Sequence, residues 1–398
     1  MKKINFLFIL TSIVCIYSSI ATTAYANEDP YYKNNPGCVI DRGNPERTGV
    51  YDEKLSDHPK ILWETTTTSL HAPICADNLI VMNPLVAFDP ANGKKVWDVG
   101  NIGGKYHYPA TYYNGIIYWD KIDGRGYGQE EKSLNLMKYN AKTGKLLYQK
   151  GFGIGNSNGM LIYNDIAYLC LYDGVTAYDL KKNKILWKSG GFVQGGISTD
   201  GHALFVSNGG LYVLNMQNGQ LLWKVDTISS QGTIGKEAIY ADFLSDDDKV
   251  GIIAYEKKTG KVIWKRYLND VPGFSKHGGL SNITLHQDRL FVSHLVQESI
   301  AMTNPTRYSP VGGGVYALDA KTGKLLWHKE IAPFTDPISI NNTLYVGGQN
   351  IVYALDEKTG EERWHLSVED DVTSLVPYQN KLFLELGMYS RIKLLVIG

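Results

Sequence analysis

Short runs of alternating apolar and polar residues fill most of this chain, and they recur in a fixed order. The cleanest copies are Val315-Tyr-Ala-Leu-Asp-Ala-Lys-Thr-Gly-Lys-Leu-Leu-Trp327 and Val352-Tyr-Ala-Leu-Asp-Glu-Lys-Thr-Gly-Glu-Glu-Arg-Trp364. Each predicts a hairpin: an alternating strand, a short polar turn begun by Asp or Asn, and a second strand that carries an aromatic residue. Two further strand-like runs precede each hairpin, for example Ile283 to His286 with Arg289 to His294, and Ile338 to Ile340 with Thr343 to Gly347.

The phase of the repeat is set by Trp97, Tyr148, Trp187, Trp223, Trp264, Trp327 and Trp364. Four residues before them stand Gly93, Gly144, Asn183, Gly219, Gly260, Gly323 and Gly360, and eight before stand Asp89, Asn140, Asp179, Asn215, Glu256, Asp319 and Asp356. A hairpin loop of this length ends in a left-handed residue, where Gly costs nothing and Asn is the next most tolerated. Asn183 is the substitution such a constraint predicts. The Gly-Lys pairs are not phosphate loops, because a P-loop opens a helix and these open strands.

Four strands per unit is a propeller blade, and the chain ends complete the count. Ile61-Leu62-Trp63-Glu64 matches the Trp-bearing strand but has Pro59 at the glycine position and no preceding hairpin strand. Thr373 to Val376, Lys381 to Glu385 and Ile392 to Ile397 supply three strands and no final Trp strand. One plus three makes a blade, so the chain is predicted to be an all-β, eight-bladed propeller of four-stranded antiparallel blades. The N- and C-terminal strands join to close it and leave no open edge. Helices are expected to be nearly absent. The propeller is assigned to residues 61–398, preceded by a lead-in segment over 27–60.

Residues 1–26 read as a cleaved signal peptide: Lys2 and Lys3, an apolar run from Ile4 to Ile20, and the small-residue exit Ala24-Tyr25-Ala26. The protein is thus expected to be exported, to a periplasm or outside the cell. Ser12-Ile13-Val14 lacks the small residue expected before a lipidated Cys15. No later run approaches the ~20 apolar residues of a membrane span. The 40 basic and 40 acidic residues balance without a run of one sign, which argues against a nucleic-acid partner. Cys38, Cys75 and Cys170 follow the signal peptide, so at most one disulfide forms. A Cys38–Cys75 pair and three unpaired buried thiols both remain open.

The motif Ala-x-Asp-x-x-x-Gly-Lys-x-x-Trp, running in phase across residues 86 to 364, resembles the PQQ-like (pyrroloquinoline quinone) propeller repeat. Arg42-Gly43-Asn44-Pro45-Glu46-Arg47-Thr48-Gly49 is similar to the N-terminal lead-in of such proteins. The resemblance implies that Trp97, Trp187, Trp264, Trp327 and Trp364 dock between blades near Ala87, Ala177, Ala254, Ala317 and Ala354, with Trp63, Tyr148 and Trp223 in the same structural role. Lys138 with Tyr148, and Val213, depart from that pattern. It implies two functions: a non-catalytic protein-binding or assembly scaffold similar to BamB, with another protein as partner and no cofactor, or a PQQ- and calcium-dependent dehydrogenase of alcohols or sugars. The sequence lacks adjacent cysteines and a Cys-x-x-Cys-His motif, which favours the scaffold. No catalytic residue and no metal ligand is assigned.

In a propeller, the residues that start each innermost strand ring the channel mouth. These are His71, His107, Asn158, Gln194, Gln231, His277 and Asp336; they either line a wet channel or hold a small ligand. Two insertions lengthen loops on the same face, one between Trp119 and Leu134 and one between Gln297 and Val315. Arg125, Tyr127, Arg307 and Tyr308 in them are the candidate partner contacts. Asp120 and Asp123, beside Gly124, are read as part of a solvated loop rather than a calcium loop, and Asp246-Asp247-Asp248 as a solvated turn.

Overall fold

A computed structural model describes residues 32, 40, 42–67, 72–83, 85–100, 110–123, 133–154, 159–171, 173–190, 196–207, 209–226, 232–245, 249–271, 274–275, 278–301, 307–387 and 392–398. Residues 1–26, read as a signal peptide, lie outside them. Their strands form eight antiparallel sheets that follow one another around a ring. Blades one to seven span 74–98, 111–154, 160–190, 196–225, 233–267, 278–329 and 338–367. Blade eight combines Val372–Tyr378, Lys381–Leu386 and Ile392–Ile397 with Ile61–Thr67, which pairs antiparallel to the last and sets Trp63 opposite Val396. The ring therefore closes as the pattern at the two ends requires.

Within blades, the first and second strands are joined mostly by two-residue turns. Asp77-Asn78, Asn164-Asp165, Asn341-Asn342 and Gln379-Asn380 all have positive φ at both positions, the geometry that matches strand twist. Second strands bury both faces, as in Leu204, Phe205 and Val206, while outermost strands alternate half-buried and exposed positions. Each outer strand bulges at the residue before its aromatic, as between Ala87 and Phe88 opposite Trp97 and Lys95.

The tryptophans lock each blade to the next. Trp97, Trp187, Trp264, Trp327 and Trp364 stand in register opposite Ala87, Ala177, Ala254, Ala317 and Ala354. The indole N–H of Trp63, Trp97, Trp187, Trp264 and Trp327 donates into the following blade's turn, to Pro90, Ala141, Met216, Ala320 and Glu357 carbonyls at 2.9–3.2 Å. The turn glycines have a second reason to be glycine besides their positive φ. A Cβ built on Gly323 would sit 2.5 Å from the Trp264 ring, and Gly93, Gly144, Gly219, Gly260 and Gly360 meet the preceding blade's tryptophan in the same way.

The two departures from the motif turn out to be one. Asn183 (φ 52°) sits where a glycine would, and the blade before it carries Tyr148 in place of tryptophan. Lys138, opposite Tyr148, sends its ammonium to the Leu180 carbonyl at 3.3 Å and to Asn183 Oδ1 at 3.2 Å, crossing the Tyr148 ring at 4.9 Å. The smaller ring admits the asparagine Cβ, and the lysine supplies the hydrogen bond that an indole makes elsewhere.

Both insertions are entered and left by paired strands where they are described, which corrects the loop reading for those residues. Ile116–Asp123 pairs with Ser133–Asn140, so Asp120 is 1% exposed in a ladder rather than solvated. Arg289–Ala301 pairs with Arg307–Asp319, which places Tyr308 opposite Ser299 and Arg307 opposite Ala301 in a hairpin. Backbone groups leaving the core of the blade are satisfied by continuing the ladder. Arg125 and Tyr127 lie outside the described residues, as does Asp246-Asp247-Asp248. Cys75 is disulfide-bonded and Cys170 is a buried thiol, so the three-thiol alternative is excluded. Cys38 lies outside the described residues.

Candidate functional site

The lead-in segment crosses the inner strands of four successive blades, giving each one backbone hydrogen bond. The carbonyls of Pro45, Glu46, Thr48 and Gly49 accept from the N–H groups of Thr199, Ile234, Leu285 and Ser339, at 2.9–3.1 Å, in blades four, five, six and seven. Val50–Tyr51 then adds a parallel edge to blade seven's inner strand. This explains why Gly43 and Gly49 are left-handed (φ 84° and 70°): the segment must turn sharply while passing close to Tyr51 and Arg42.

Arg42 anchors this crossing to the inner ring. Its side chain is 5% exposed, and Nη1 donates to Asp336 Oδ2 at 2.8 Å. Nη2 donates to the Ile283 carbonyl (2.8 Å) and Thr284 Oγ1 (2.9 Å), and Nε to the Arg47 carbonyl (3.3 Å). Asp336 also accepts from Asn282, by the backbone N–H at 3.0 Å and by Nδ2 at 2.8 Å. The one described member of the predicted mouth ring is thus a carboxylate already engaged by a guanidinium and an amide. His71, His107, Asn158, Gln194, Gln231 and His277 lie outside the described residues.

Beside Asp336 opens a cavity of about 280 Å³ between blades six and seven. Its walls are Gly279 to Ser281, Ser293 with Leu295, and Pro333 to Asp336. Ser281 Oγ accepts from Ser293 N–H at 2.8 Å and donates to the Asn282 carbonyl at 3.1 Å. Ser293 is 3% exposed, and its hydroxyl meets no hydrogen-bond partner among the described residues. Next in the chain, His294 is fully buried against Phe274, ring centroids 4.1 Å apart, and burial pulls its pKa below the usual imidazole value while the Ser275 backbone opposes the shift.

Ser293 belongs to a set that the Trp-phased reading missed. The fifth position from the start of each second strand, one residue past the strand's end in blade one, is Asn83, Asp120, Cys170, Ser207, Asp242, Ser293, Gly347 or Glu385. All the polar members are buried. Ser207 shows one purpose, accepting the N–H of Gly232 at the start of the next blade. Glu385 differs: burial pushes its carboxyl up to about 7. The Trp phase hid this set because the hairpins between second and third strands differ in length; phasing on the Asn- and Asp-rich turns aligns it.

Residues 172–336 and 311–388 match the family described as outer membrane protein assembly factor BamB. Together they cover more than half of the chain, which belongs to this PQQ/BamB-like propeller family. A polyvinylalcohol dehydrogenase from Pseudomonas sp is 32% identical over 202 residues, covering 46% of this chain and 30% of that protein. BamB of Moranella endobia is 28% identical over 186 residues, covering 44% of each. The matched region thus spans less than half the length of either relative. A quinohemoprotein alcohol dehydrogenase from Pseudomonas putida superposes with a TM-score of 0.66 over 92% of this chain and 81% of that one, at 12% identity, a likeness of fold alone. Family membership covers both assembly factors and quinoprotein dehydrogenases, so the fold by itself does not choose between them.

Proposed function

We propose that this chain stands on the quinoprotein side of its family: an exported propeller that binds a quinone ligand at the channel mouth and serves alcohol oxidation. The observation that supports it is the 32% identity over 202 residues to a polyvinylalcohol dehydrogenase. This reverses the preference drawn from the missing cysteine pair.

Among the described residues, no three His, Cys, Asp or Glu side chains cluster to hold a metal ion. Asp336, with its carboxylate engaged by Arg42 and Asn282, does not fit as a calcium ligand. No oxidation step is therefore derived through calcium or PQQ. What this chain's own residues do is hold the mouth: Arg42 and Asn282 fix Asp336, and the lead-in ties four inner strands together, a preformed rim of the kind small-ligand sites use. The test is dye-linked oxidation by the mature protein supplied with PQQ and calcium, over an alcohol panel that includes polyvinyl alcohol. Quinone-dependent turnover supports the reading, and none at any alcohol sinks it.

A second reading, a non-catalytic assembly scaffold, is supported by the family match and the 28% identity to a BamB. Its partner would be another protein. No helix among the described residues is long and apolar enough to cross a membrane.

A further inference from the structure

Among the described residues, every large apolar side chain that is exposed, apart from Leu244 and Tyr267, stands one or two places before the aromatic that phases its blade. Leu146-Leu147, Ile185-Leu186 and Leu221-Leu222 show the pattern in blades two, three and four, and the side chains at these positions are 41–56% exposed around the ring. Scattered apolar residues on a surface need no explanation, but one position left bare in every blade except the seventh does.

The charge repeats with it. Three places before the aromatic, directly after the left-handed residue of the turn, stand Lys94, Lys145, Lys184, Lys261 and Lys324, and Lys60 holds the same place in blade eight. All are exposed, and none forms an ion pair among the described residues. Lysines earlier in the turns are already engaged: Lys142, Lys181, Lys257 and Lys321 reach Asp77, Asp165, Asp200 and Asp288 at 2.6–3.7 Å. Blade seven is the gap in the girdle. It carries Glu361-Glu362-Arg363, with Glu362 held by His365 and Lys329 and Arg363 held by Asp356.

We propose that this girdle seats the propeller on an anionic lipid bilayer, with the face that carries the third-to-fourth-strand turns against the lipid. Blades repeat by rotation about the channel axis, so a position shared by successive blades lies at one height, and the lysines and apolar pairs form a planar ring. A bilayer surface meets both groups at once: phosphates pair with the ammonium groups while the apolar side chains enter the headgroup boundary. A soluble polyanion pairs with the lysines and leaves the apolar side chains in water. A second copy docked through the same ring sets lysine against lysine, which costs rather than gains. The inference holds for either reading of the channel, since the girdle lies on the outermost strands and the channel on the innermost.

The experiment is co-flotation of the mature protein with vesicles of equimolar phosphatidylglycerol and phosphatidylcholine, with pure phosphatidylcholine vesicles and soluble polyphosphate as comparison probes. Two double variants accompany it, both at exposed positions and both checked for an unchanged urea midpoint. Lys145→Gln with Lys184→Gln removes two charges, and Leu147→Ser with Leu186→Ser removes apolar reach. The proposal expects binding to the anionic vesicles and none to the neutral ones. The lysine pair weakens anionic binding about ten- to thirtyfold, at about fivefold per lysine near a charged bilayer, and added salt weakens it as well. The leucine pair weakens it about fivefold or more without changing the weaker binding of polyphosphate. Equal binding to neutral vesicles, anionic binding unchanged in either folded variant, polyphosphate bound as tightly as the anionic vesicles, or no vesicle binding by the folded wild type overturns it. Self-association through the girdle in place of vesicle binding marks a second copy as the occupant and overturns it too.

Discussion

The Lys138 ammonium donates to the Leu180 carbonyl, the place in the next blade's turn that an indole N–H occupies at five other junctions. Lys138, Tyr148 and Asn183 therefore form one exchanged unit, standing for Ala, Trp and Gly. Burial lowers the Lys138 pKa, as expected of an ammonium laid over aromatic rings and aimed at a carbonyl.

This unit makes reversion non-additive. Tyr148→Trp alone drives the larger ring into Asn183 and is expected to cost roughly 1–3 kcal/mol. Lys138→Ala alone leaves the Leu180 carbonyl short of a donor, a loss of about 1 kcal/mol. The triple variant Lys138→Ala, Tyr148→Trp, Asn183→Gly is expected to unfold within about 1 kcal/mol of the wild type in urea. A triple variant as unstable as the sum of the singles contradicts the exchange.

At an ordinary junction the order reverses. Gly323→Ala places a Cβ 2.5 Å from the Trp264 ring at φ +70°, and a loss of roughly 2–4 kcal/mol is expected. Asn183→Gly, where no indole waits, is expected to change stability by only a few tenths. Thermal unfolding of the two variants side by side checks both.

Strand order, blade number and ring closure were legible because the Asp-to-Trp hairpin repeats with fixed spacing, and Trp63 betrayed the shared blade. The pairing of Tyr148 with Asn183 was not legible, because the two residues belong to different copies and the motif is read within one copy. Asp120 and Tyr308 were misplaced into loops because long hairpins between second and third strands carry polar residues that look like insertions. The polar set at the second-strand ends was out of phase with the tryptophans. Asp336 was singled out as a channel-mouth candidate from its place just before a strand, but its partner Arg42 lies nearly three hundred residues away, beyond any local pattern.

Glu385 gives the fold a pH dependence. Its carboxyl is raised to about 7 in the folded protein by burial and titrates near 4.3 when unfolded. The folded state then holds the proton more tightly, so this contribution is fully present below the unfolded pKa and is lost as pH rises through about 7. Glu385→Gln is expected to be more stable than the wild type at pH 8, by about 4 kcal/mol at most, and to show little difference at pH 4. Equal denaturant midpoints at both values would falsify the assignment.

Arg42→Ala removes the guanidinium that joins Arg47, Asp336, Ile283 and Thr284. With Asp336 about a third exposed, the loss is expected at about 2–3 kcal/mol, below that of a fully buried pair. Arg42→Lys is expected to recover little of it, since one ammonium cannot reach all four acceptors. Proteolysis of the lead-in, faster in both variants than in the wild type, is the accompanying sign.

The functional account is tested most directly by quinone binding itself. Mature protein is titrated with PQQ in the presence of calcium, and again after chelation, following the absorbance of the bound quinone. The account predicts saturation at one PQQ per chain; a folded protein that binds none contradicts it and leaves the assembly scaffold as the surviving reading.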